Sequence, residues 1–140
     1  MTRPAKKHIA RSEITDIEAF VDTAKSNNSD FSEPAIDYLS RMYGTELNSL
    51  LELARSARTL AAPLNTDGEI AAQALYAIRH EMARTLTDIF IRRTGLGTLG
   101  YVGDEITKSI ASVASRELGW DARRTEKELE AAKKAMMLPG

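Results

Sequence analysis

The chain has 140 residues and is close to neutral, with 19 lysines and arginines against 20 acidic residues and a formal net charge of −1. That length can bury a core, and so even a mixture of charge gives no general attraction to nucleic acid or anionic lipid. The sequence has no cysteine, which excludes a disulfide framework, a thiolate metal site and a thiol nucleophile.

Residues 1–13 are polar and read as a flexible N-terminal segment or linker, with no apolar stretch of the kind a secretory signal carries. Thr15 and Glu18 have the spacing of a capping box. Ile17, Phe20, Val21 and Ala24 then repeat at helical period until Asn27-Asn28-Ser29-Asp30 stops the helix. Ser32 opens a second helix with Pro34 in its first turn, where the missing N–H costs nothing. Ile36, Leu39 and Tyr43 line its inner face, and Gly44 suits the position just past its end. Thr45 is the expected cap of a third helix carrying Leu47, Leu50, Leu51 and Ala54. The longest loop follows over 58–69, broken by Pro63 and Gly68. A fourth helix, the longest, is expected from about Glu69 to Thr94. A glycine-rich turn then leads to Asp104, the expected cap of a fifth helix bearing Ile106, Ile110, Val113 and Leu118. Gly119 should end that helix with Trp120 folded back on its last turn. Asp121 caps a last, highly charged helix that fades at Met136–Pro139. No alternating run of strand length is present, and no apolar run approaches the ~18 residues of a membrane span. The expected fold is all-α, a single helical-bundle domain of about six helices with one long central helix, over residues 14–138.

The long helix holds the candidate site. Leu75, Ile78, Met82, Leu86 and Ile89 fall on one stripe, its core face. Glu81, Thr85, Asp88 and Arg92 make a second, polar stripe, in which Asp88 can reach Arg92 and Glu81 can reach Arg84. This stripe reads either as a solvated face or as an ion-pair network. Arg79 and Arg93 project within the apolar stripe, so each must snorkel to water or meet a carboxylate. Arg79 has no acid three or four residues away, and its partner is expected from another helix, domain or chain. Residues 95–100, Gly-Leu-Gly-Thr-Leu-Gly, spell a dinucleotide-loop fingerprint. Such loops need a strand before the glycines and a helix starting directly after them. Here a helix precedes them and the next begins only at Asp104, so they read as a stop and a turn. His8 and His80, the only histidines, form no metal motif, and no nucleophile elbow is present. Arg92-Arg93 and Arg123-Arg124 are too few, and too surrounded by acids, for a nucleic-acid surface.

The segments "YLSRMYG" (38–44), "PL" (63–64), "AAQALYAIRHEMARTLTDIFIRRTGLGTLG" (71–100) and "ASRELGWD" (114–121), in this order, resemble the C-terminal helical domain of the FAD-dependent glycerol-3-phosphate dehydrogenases and oxidases. Tyr76, Ala77, Arg79, Glu81, Ala83, Thr85, Leu86, Asp88, Arg92, Arg93 and Thr94 match the central family pattern, and Leu118-Gly119-Trp120-Asp121 match its last element. Many relatives have an arginine where Gly95 stands, which leaves the subfamily open. The resemblance implies a parent that oxidises sn-glycerol 3-phosphate to dihydroxyacetone phosphate through FAD and passes electrons to a quinone or another acceptor. It implies a cytoplasmic location, and leaves open that the parent is peripheral on the inner face of the cell membrane. The flavin-binding and substrate-cap domains of such an enzyme would be this chain's partners; a homodimer is left open, and no nucleic acid or membrane insertion is expected. The chain itself is expected to be an excised, non-catalytic domain with a structural or interdomain role, holding no cofactor or metal. Arg79, Glu81, Asp88, Arg92, Arg93 and Thr94 are the candidates for an ion-pair network facing inward or across a domain seam. The rival reading is an independent helical module for protein–protein interaction.

Overall fold

The computed structural model describes residues 16–65, 68–94, 96–97 and 100–137. The expected cap at Thr15 lies outside them, as do Gly95 and the segment 1–13 expected to be a flexible segment or linker. Among the described residues there are helices and turns but no strand, and a single isolated bridge joins Pro63 to Ile70. The chain forms two compact units, one up to Ile70 and the other from Ala71.

In the first unit, α1 (Ile17–Asn27) starts at Asp16, whose carboxylate accepts from the Ala19 N–H at 3.1 Å. Helix α2 (Glu33–Tyr43) starts at Ser32, as its sequence requires, with the hydroxyl accepting from the Ala35 N–H. The two helices pack on Val21, Ala24, Ile36 and Leu39, all buried. Across their outer edge Arg41 holds Glu18 through two bonds of 3.0 Å and Asp37 at 2.7 Å, while Lys25 reaches Asp37 at 3.2 Å. A 3-10 turn (Gly44–Glu46) takes the place of the expected Thr45 cap, and α3 (Leu47–Ser56) follows with Leu47, Leu50, Leu51 and Ala54 buried. The expected loop over 58–69 opens with one further helical turn, α4 (Arg58–Ala61). Its return leg is held by Tyr38, whose hydroxyl donates to the buried Glu69 carboxylate at 2.5 Å.

The second unit departs from expectation at two places. The single long helix is cut into α5 (Ala72–His80), a bend over 81–85, the short turn α6 (Leu86–Asp88) and a π-helical turn (Ile89–Arg93). Helix α7 (Asp104–Leu118) begins after Gly103, not with Asp104 as its cap, and Gly103 takes φ +101°. It ends in the expected left-handed Gly119, with the Trp120 N–H returned to the Ser115 carbonyl at 3.0 Å. Asp121 caps α8 (Ala122–Met137) by accepting from the Arg124 N–H at 2.8 Å. Helix α5 packs on α7, while α6 and the π turn pack on α8. Tyr76, Ile78, Leu86, Ile89, Phe90, Ile110, Ala111 and Ala114 form this unit's core.

Candidate functional site

The bend between α5 and α6 is built from polar contacts. The Ala83 N–H returns to the Ala77 carbonyl at 3.0 Å, and Met82 between them takes φ +63°. Arg84 then donates to the carbonyls of Ile78 (3.2 Å) and Ala83 (2.8 Å), answering acceptors that the end of a helix leaves open. The chain restarts at Thr85, whose hydroxyl accepts from the Asp88 N–H at 3.0 Å. The neighbouring Leu86 N–H donates at 3.0 Å to Glu128, which reaches across from α8. Arg124 holds the other oxygen of that carboxylate at 2.9 Å and lies over the Trp120 ring. These contacts explain why a run with unbroken helical periodicity does not stay helical.

The π turn then decides which arginine meets Asp88. Bonding from i to i+5 brings residues five apart onto one face. Arg93 therefore meets Asp88 at 3.1 Å, with both side chains largely buried, while Arg92 stays 4.0 Å away and 76% exposed. The i,i+4 pair expected in a regular helix persists only as this long, exposed contact, and the i,i+5 pair is the closer one. Thr94 closes the turn from inside: its hydroxyl donates to the Ile89 carbonyl at 2.9 Å and accepts from the Leu96 N–H at 3.2 Å.

Arg79 finds its acid on α7. Its guanidinium binds Glu117 through two bonds of 2.9 and 3.0 Å. That hydrogen bonding holds the Glu117 carboxyl below its usual range and raises the Arg79 guanidinium. Glu81 is buried where α5 ends, and Arg84 turns to backbone carbonyls. The six candidates thus occupy three places: Arg79 with Glu117, Glu81 at the helix end, and Asp88, Arg92, Arg93 and Thr94 around the π turn. Sequence reading missed Glu117 and Glu128, because each acts on a segment distant in sequence, and with them Arg124, whose i,i+4 contact matters only through Glu128.

Gly97, a described residue of the glycine loop, is not open to a flavin pyrophosphate. Gly97 donates its N–H to the Phe90 carbonyl at 3.0 Å, and a β-carbon on it would lie 2.9 Å from that same oxygen and 3.0 Å from Met136. The glycine is required by the chain's own packing. Helix α7 presents Asp104 in its first turn, bonded to Tyr101 and facing Lys133, where a phosphate would need bare N–H groups. Among the described residues no group of histidines and acids is placed to hold a metal ion, and no helix is long and apolar enough to cross a membrane.

A family model described as the C-terminal domain of alpha-glycerophosphate oxidase matches residues 12–125. The match takes in both units and every candidate residue. None of the curated proteins compared with the chain matches it.

Proposed function

Because the chain belongs to the family of C-terminal domains of alpha-glycerophosphate oxidase, we propose that it is the helical buttress of an FAD-dependent glycerol-3-phosphate dehydrogenase or oxidase. In this reading the parent oxidises sn-glycerol 3-phosphate to dihydroxyacetone phosphate. Hydride passes to FAD on other domains, and electrons go on to a quinone or another acceptor at the inner face of the membrane. The segment 14–138 carries no step of that chemistry. One observation supports the role above all: the polar groups of the motif bind backbone or one another and do not converge on an open cleft. Thr94 and Arg84 satisfy main-chain groups, while Asp88–Arg93 and Arg79–Glu117 pair with each other. Arg92, the most exposed of the six, is the one left to reach a neighbouring domain of the parent.

The test is to purify the 140-residue chain and the full-length parent side by side. The chain should be colourless and unable to oxidise glycerol 3-phosphate. The parent should keep its flavin spectrum when Arg92 is replaced by alanine, while its thermal stability falls. Flavin that co-purifies with the isolated chain, or oxidation by it, would overturn the reading.

A further inference from the structure

The bend at residues 81–85 interrupts a sequence that reads as one helix. His80-Glu81-Met82-Ala83-Arg84 contains neither glycine nor proline, and the apolar stripe continues through it. Leu75, Ile78, Leu86 and Ile89 keep their places on that stripe and are buried, whereas Met82, the middle member, is thrown outward and is 69% exposed. Its backbone is left-handed, at φ +63°, and it is the only described residue other than glycine at positive φ. A methionine there is unfavourable on two counts, since it gives up a helical conformation and leaves apolar surface in water. Such a conformation persists only where its surroundings hold it.

The surroundings are specific. Arg84 and Thr85 supply caps from within the bend, and Glu128 supplies the one that comes from elsewhere, taking the Leu86 N–H from 42 residues away. Glu128 is only 12% exposed and is held by Arg124. It also lies just beyond the range matched by the family model.

We propose that residues 81–85 form a two-state joint latched by Glu128. With the latch closed, α5 stops at His80 and Met82 faces water. With it open, the run from α5 to Leu86 becomes one helix and Met82 turns onto the apolar stripe. The last helix thereby sets the direction in which the π turn and Arg92 leave α5. This inference stands on the geometry of the second unit and does not depend on the buttress role.

The 140-residue chain carries the test, read by backbone chemical shifts over 81–85 and by the access of a soluble paramagnetic probe to the Met82 methyl group. In Glu128→Ala the five residues should take helical shifts and the methyl should become shielded. Glu128→Gln keeps an acceptor oxygen and should restore the bend. At position 82 the two small residues should act oppositely: Met82→Ala favours the continuous helix and Met82→Gly the bend. Between them the ratio of the two forms should shift on the order of thirtyfold, from the combined left-handed and helix-interior preferences of glycine and alanine. Non-helical shifts over 81–85 in both Glu128→Ala and Met82→Ala, whether native-like or random-coil, would overturn the proposal. If Glu128→Ala fails to fold, the Met82 pair decides alone.

Discussion

Replacing Gly97 by alanine separates a packing glycine from a nucleotide-cradling one. The added methyl would sit 2.9 Å from the Phe90 carbonyl oxygen and 3.0 Å from the Met136 Cγ and Sδ atoms. Met136 is flexible and can yield. The carbonyl cannot yield as easily, because it belongs to the π turn and already accepts the Gly97 N–H. Overpacking of this kind costs about 1–3 kcal/mol, which for a chain of this size lowers the melting temperature by roughly 3–10 °C. Circular dichroism during thermal unfolding, paired with urea titration at constant slope, measures it. Gly97→Ala in a Met136→Ala background should still lose most of that stability, since the contact with the carbonyl remains. A Gly97→Ala chain that melts within a degree of the parent sequence would refute the packing argument. A full-length enzyme that loses flavin on the same substitution without losing stability would refute the reading of the glycine loop.

The π turn makes Arg92 and Arg93 unequal: Arg93→Ala should destabilise the chain by about 1–3 kcal/mol through a largely buried Asp88 left with only the long contact to Arg92, while Arg92→Ala should stay within about 0.5 kcal/mol. Equal effects in urea unfolding would place Asp88 in an ordinary helical register. Thr94→Val should cost about 1–3 kcal/mol by removing the buried hydroxyl that serves the Ile89 carbonyl and the Leu96 N–H, and calorimetry checks it. Asp37 is held below its usual value chiefly by its hydrogen bond from Arg41, and Glu117 below its own by Arg79. A carboxyl depressed on folding contributes stability that is complete above its unfolded value and is lost as the pH falls through its folded value. The chain should therefore weaken below about pH 4, less steeply in Asp37→Asn and Glu117→Gln. Identical acid-unfolding curves for all three proteins would remove those pairs from the balance.

Much of the helical order was legible because its signals are local. Ser32 with Pro34, Gly119 with Trp120, and Asp121 each mark a boundary through groups within a few residues of it. Asp104 and Thr45 misled because an acceptor next to a helix start need not be its cap: Gly103 and a 3-10 turn occupy those places. The cut in the long helix had only a faint local signal, Thr85 three residues before Asp88, and its external cap comes from Glu128 on another helix. The same holds for the candidate site. Its residues could be named from the motif, and the need of Arg79 for an acid beyond its own helix could be deduced. That the acid is Glu117, and that Asp88 selects Arg93 over Arg92, follows from tertiary contacts and from a π turn that periodicity does not announce.

Helix α8 buries only Ala132 and Met136 among its described residues. Its attachment is a narrow seam, and local opening begins where few apolar contacts resist it. When α8 peels away, Glu128 leaves Leu86 and Met136 leaves Gly97 in the same event. Protease nicking along α8 and amide exchange at Leu86 should therefore rise together, so that a fraying edge governs the order of a segment far behind it in the chain.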